Sequence, residues 1–259
     1  MLACLALASV PGLISPAGAE DVPPKAQVFL RAYPAFFAGY RNGTLICRDG
    51  TTILFADGRP KTYQQRLANA DPEDELWQAY PIGPNSYAPP QVNFDPGRYR
   101  CAALFKKMYG ATAEEVESHL RTIPWLPKST RQTVRVTTIN GVDKQLAAVS
   151  AELDQLPKAE KKLVLKTAGT FNWRTIAGAD QLSAHSFGIA IDINPDYADY
   201  WRWGGTAPDG SIPYHNRIPR RVVEIFERHG FIWGGKWYHY DTMHFEYRPE
   251  LLLYKQTQG

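Results

Sequence analysis

The sequence is short of several things, and each shortage narrows what the chain can do. It has only 3 cysteines and no C-x-x-C pair, which argues against a thiolate zinc site and a thioredoxin-like redox motif. It has no dense basic run, and 29 Lys+Arg against 26 Asp+Glu leave a net charge of +3, so nothing points to nucleic acid. No G-x-S-x-G elbow occurs, and neither Cys47 nor Cys101 has an obvious histidine partner, which argues against serine or cysteine hydrolysis. Internal repeats and low-complexity tracts are also missing. What remains, 44% hydrophobic and 21% charged residues over 259 positions, is the make-up of a globular protein with a sizeable core.

Charge is absent from "MLACLALASVPGLISPAGA", residues 1–19, and "EDVPPK" follows at once. An apolar stretch ending in Ala17-Gly18-Ala19 predicts a signal peptide over residues 1–19 and export of the chain. Pro11, Gly12 and Pro16 break it, so no stable membrane span is expected after cleavage. The usual positive start is missing, which leaves room for a longer leader. Cleavage removes Cys4 and leaves Cys47 and Cys101. In an oxidising compartment that pair predicts one disulfide, contributing about 4 kcal/mol on the chain-entropy model; two buried thiols are the alternative.

The pattern predicts an α+β protein: a small antiparallel sheet with flanking helices, preceded by a mostly helical N-terminal region of unknown role over residues 20–130. Residues 26–41 read as helix, "GTLICRDGTTILFADG" as a hairpin, and residues 81–97 as an irregular proline-rich crossing of the surface. "RYRCAALFKKMYG" and "TAEEVESHLRTIPWLP" read as helices, the second opened by a capping box from Thr112 to Glu115. From residue 131 to 259 a catalytic domain is expected. In it "TVRVTTI", "KKLVLKTAGTF", "GIAIDIN" and "MHFEYR" are strands, and "VDKQLAAVSAELDQLP" and "RRVVEIFERHG" are helices. His119, His215 and His229 read as surface, loop and helix-end residues.

The chemistry concentrates in two stretches. In "SAHSFGIAIDIN", Ile189, Ile191 and Ile193 alternate toward a core, which leaves Asp192 on the opposite face. His185 stands an odd number of residues away, so an unbroken strand would separate the pair, but a bend at Gly188 lets them converge. In "WYHYDTMHFEYR", His244, Glu246 and Arg248 share one face. His185, Asp192 and His244 form a set of three zinc ligands with a fourth position open, and Asp241 is a carboxylate placed to take a proton from water there. Glu246 is positioned to hold a ligand from behind. His239 and Tyr238 read as packing residues close to Asp241.

"FNWRTIAGADQLSAHSFGIAIDIN" with "HGFIWGGKWYHYDTMHFEYRP" resembles the zinc D-alanyl-D-alanine carboxypeptidase and L-alanyl-D-glutamate endopeptidase family, the VanY-like peptidases. The resemblance spans about a third of the chain, on S-x-H-x-x-G-x-A-x-D-I, W-G-G and D-x-x-H-F-E. It implies Zn2+ on His185, Asp192 and His244, and Asp241 as the base. It further implies Arg174 as a clamp for substrate carboxylate or oxyanion, and Ser183 as a substrate contact. Without it, Arg174 reads equally as a surface ion-pair residue and Ser183 as a turn cap. An aspartate base resembles the endopeptidase branch. The implied substrate is a peptidoglycan stem peptide, met by a monomer in the periplasm or cell envelope of a bacterium. The competing expectation is a wall-binding module that keeps zinc without turnover.

Overall fold

The computed structural model describes residues 21–83, 86–176, 178 and 180–256, so the expected leader at residues 1–19 lies outside the described residues. Pro24–Ala32 form helix α1, which stops because Pro34 cannot continue a helix and turns Tyr33 out of helical geometry. The helix expected to reach residue 41 therefore gives way to strand β1 (Phe37–Arg41). Asn42 and Gly43, both at positive φ, close a two-residue turn into β2 (Thr44–Cys47), and β3 (Thr52–Leu54) completes an antiparallel sheet in the order β1-β2-β3. Short helices α2 (Tyr63–Ala68) and α3 (Pro72–Glu75) follow, opened by the capping boxes of Thr62 and Asp71. The N-terminal region is thus a mixture of strand and helix.

Helix α4 spans Ala102–Tyr109 and α5 spans Ala113–Ser118. Thr112 caps α5 through Glu115 N, while the Glu115 carboxylate accepts from Ala111 N. The expected continuation of α5 is instead strand β4 (Leu120–Pro124), captured by pairing with β5 (Thr133–Thr137). That ladder joins residues on either side of position 130, and one apolar cluster runs from Ala26 to Tyr254. Helix α6 (Val142–Leu153) packs against both strands.

After the short helix α7 (Lys158–Lys161), only Thr167–Gly169 become strand β6. The expected strand does not start earlier because the Val164 and Leu165 carbonyls accept from Trp125 Nε1 and Gln132 Nε2. Strand β7 (Ala190–Ile193), helix α8 (Arg220–Arg228), β8 (Phe231–Trp233), β9 (His244–Tyr247) and helix α9 (Pro249–Gln256) complete the fold. The main sheet has the order β6-β7-β9-β8 with every pairing antiparallel.

This sheet is covered on both faces. Phe245 of β9 stacks on Phe226 of α8 with ring centroids 3.8 Å apart. The other face of β9, carrying His244, Glu246 and Arg248, is sealed by the N-terminal region. The Arg248 guanidinium pairs with Glu75 at 2.8 Å, and the Tyr33 hydroxyl donates 2.5 Å to Glu250. Residues 81–83 and 86–97 are irregular, yet the last part is not superficial: Asp95 is fully buried, and Trp237 Nε1 donates 2.6 Å to Pro96 O.

The expected Cys47–Cys101 disulfide is not formed. Cys47 ends β2 within the apolar cluster, and Cys101 caps α4 where its N–H donates 2.7 Å to Glu75. Both behave as small apolar side chains, and burial pushes the Cys101 thiol up to about 12. Among the described residues no helix is long and apolar enough to cross a membrane.

Candidate metal centre

Three donors meet at the cavity end of β7 and β9. Asp192 lies directly opposite His244 in the ladder, so the pairing register places their side chains together. His185 arrives from the turn Ala184–Phe187, closed by Gly188 at φ +65°. This left-handed residue supplies the bend that the odd spacing requires. A Cβ at Gly188 would stand 2.7 Å from Leu120 Cδ2 and 3.2 Å from Thr137 N. Gly188→Ala is therefore expected to destabilise the fold by about 1–3 kcal/mol. Urea unfolding checks this; an unchanged midpoint would contradict the account of the bend.

The donor atoms are close to equidistant. His185 Nε2 is 3.1 Å from Asp192 Oδ1 and 3.2 Å from His244 Nδ1, and His244 Nδ1 is 3.1 Å from the same Oδ1. A tetrahedral zinc with bonds of about 2.0–2.1 Å has donor–donor edges of about 3.4 Å, so the three fit such an ion. Hydrogen bonding selects the nitrogen each ring turns inward. His185 Nδ1 donates 2.6 Å to Thr170 O, which leaves Nε2 for a metal. His244 Nε2 faces Glu246 Oε2 at 3.0 Å, which leaves Nδ1.

The charges agree with a site built for a cation. Burial alone would raise Asp192, but hydrogen bonds from both imidazoles hold it well below the usual carboxylate range. Burial alone would lower His244, but the Asp192 and Glu246 carboxylates lift it to about 10. A divalent ion bound here would take the place of the proton those carboxylates attract. Burial also works against the Glu246 carboxylate, and the Arg100 charge and the His244 bond overcome it.

Asp241 stands beside the donors. Gly234 of the W-G-G stretch allows this: a Cβ there would come 2.6 Å from Asp241 O and 2.9 Å from the Trp237 ring. The Asp241 N–H donates to Gly234 O at 3.1 Å, and Trp233 Nε1 anchors Thr242 O at 2.9 Å. Asp241 Oδ1 is buried with no hydrogen-bond partner among the described residues. Burial, reinforced by Asp192 and partly offset by His244, raises the carboxyl to about 6.

These groups line a cavity of about 670 Å³. Arg174 is exposed on its wall and forms no ion pair among the described residues; its Nη1 reaches Thr175 O at 3.5 Å. Ser183 also lines the cavity, but its hydroxyl accepts from His185 N at 3.3 Å and so caps the turn. His229 lies elsewhere, bonded to Glu152 at 2.6 Å.

Sequence reasoning missed the opposite wall. Tyr63, Gln64 and Leu67 of α2, with Arg98 and Arg100, come from the N-terminal region. Buried Asp95 accepts from the Tyr63 hydroxyl and from His239 N, the latter at 2.9 Å, and lies 2.8 Å from His239 Nδ1, which fixes this imidazole on the wall. The proline-rich stretch carried no pattern that would have marked Asp95.

Residues 177–247 match a family model described as D-alanyl-D-alanine carboxypeptidase, which supports the resemblance seen in the two motifs and a peptidase function. No curated protein and no solved structure matches the chain.

Proposed function

We propose, from that peptidase match, that the chain is an exported zinc peptidase hydrolysing peptidoglycan stem peptides in the periplasm or cell envelope. The observation that carries the reading is the convergence of His185, Asp192 and His244 beside Asp241, whose buried Oδ1 has no hydrogen-bond partner among the described residues. The description of the matching family points to the D-Ala–D-Ala bond, whereas an aspartate base resembles the branch that cuts L-Ala–D-Glu.

Zinc held by His185 Nε2, Asp192 Oδ1 and His244 Nδ1 would supply Lewis-acid activation of water and of the scissile carbonyl. The chain's own residues do the rest. Asp241 takes the proton of the attacking water and returns it to the leaving amine. Arg174, on the cavity wall, pairs with a substrate carboxylate or the developing oxyanion. Thr170 O and Glu246 keep the two imidazoles oriented.

Incubating muropeptides with the zinc-loaded protein and reading the products by mass spectrometry tests the proposal. Loss of a terminal D-alanine marks the carboxypeptidase, and a cut after L-alanine the endopeptidase. Binding to wall fragments without any product would establish a silent module instead. His185→Ala is expected to reduce bound metal from about one zinc per chain to substoichiometric levels. Full zinc occupancy in that variant, measured by elemental analysis, would refute the ligand set.

A further inference from the structure

The support behind His244 comes from a part of the chain outside the family match. Glu246 Oε2 faces His244 Nε2 at 3.0 Å and accepts from Arg100 Nη2, while Oε1 accepts from Arg248 Nη1 at 3.0 Å. Arg248 Nη2 donates 2.8 Å to Glu75 Oε2, and Glu75 Oε1 accepts from Cys101 N at 2.7 Å. Glu75, Arg100, Glu246 and Arg248 are all buried. Arg100 and Glu75 belong to the N-terminal region.

We propose that Arg100 is a positioning residue for the metal, acting through Glu246 on His244. Beyond the zinc reading on which this rests, it makes the N-terminal region a working part of the metal centre. Two observations lead to it. First, Glu246 sits between two guanidinium groups with different tasks. Arg248 holds Oε1, and its Nε and Nη2 are committed to Glu250 and Glu75, so it does not hold Oε2. Arg100 holds Oε2 on the other side, where it meets His244 Nε2. Without it, the imidazole loses the acceptor that fixes which nitrogen faces the metal.

Second, Arg100 is given over to this contact. Its Nε is buried with no partner, and Glu246 is its only ion-pair partner among the described residues. A buried ion pair is weak as a source of stability, because the cost of removing both charges from water offsets their attraction. Its place behind a ligand gives it a different use.

The test compares zinc affinity, by chelator competition below the unfolding temperature, in wild type, Arg100→Met, Arg100→Lys and Arg66→Met. Arg66 pairs with Asp74 in the same region and touches nothing in the chain of contacts to His244. Arg100→Met is expected to bind zinc about 10–100-fold more weakly. The visible absorption of the cobalt-substituted protein should also change as His244 reorients. Arg100→Lys should recover part of the affinity, and Arg66→Met should match wild type. Equal or tighter binding by Arg100→Met overturns the proposal, as does an equal loss in Arg66→Met, which would reveal only general loosening. A wild-type protein that binds no zinc would instead overturn the zinc reading itself.

Discussion

Asp241→Asn is expected to lower kcat by about 10²–10⁴-fold, the usual range for losing a positioned base, and also to stabilise the metal-free protein above pH 6. The two effects have one cause. The carboxyl titrates at about 6 because burial disfavours its charge and Asp192 repels it, only partly offset by His244. An unfolded aspartate titrates near 3.9, so the folded state is the one that holds the extra proton between these values. Stability from this group is therefore full at low pH and is lost as pH rises through 6. A difference of about two pK units corresponds to up to about 3 kcal/mol, which asparagine recovers at pH 7.5 and not at pH 4. Zinc beside the carboxylate favours its charged form and moves the titration down. Urea unfolding of the apo-proteins at both pH values, with muropeptide turnover of the zinc forms, checks both halves. A variant cleaving at the wild-type rate would exclude Asp241 as the base, and one less stable at pH 7.5 would refute the electrostatic account.

Arg248→Met should be the most damaging single change to the fold. The guanidinium is fully buried and pairs with Glu75, Glu246 and Glu250, and it also donates 2.9 Å to Gly97 O. Methionine fills the space but leaves three carboxylates without their shared cation. Breaking one buried pair costs about 3–5 kcal/mol, a large part of the 5–15 kcal/mol that holds a typical domain together. The loss should depend on pH. Burial lifts Glu75 to about 8 despite Arg248, and without Arg248 this carboxyl rises further. As pH rises through 8 the wild-type carboxyl ionises beside Arg248 while the variant's keeps its proton, so the deficit grows. Denaturant unfolding at pH 7.5 and pH 9 decides the matter. A deficit below about 1 kcal/mol at pH 7.5, or one that does not change with pH, contradicts this account.

The meeting of His185, Asp192 and His244 could be read from the chain because each clue is local. Alternation gives the faces of β7 and β9, and Gly188 between His185 and Asp192 supplies the bend. The turn at Asn42–Gly43 was equally local and went unread, hidden behind the apolar stretch that suggested a longer helix. Arg100 and Glu75 left no comparable trace. Their partners lie 146 and 173 residues away, and nothing in the spacing of one arginine signals a distant glutamate. Cys47 and Cys101 misled for a related reason. An even count states only that a bridge is possible, whereas packing decides it.

On the proposed peptidase reading, the two walls of the cavity divide reaction from selection. The stretch that matches known peptidases, residues 177–247, carries the donors and Asp241, but Tyr63, Gln64, Leu67 and Arg98 face them from outside it. Substitutions there can change which peptide fits without touching the bond-breaking groups. Two proteins alike over this stretch can therefore share one chemistry and differ in diet.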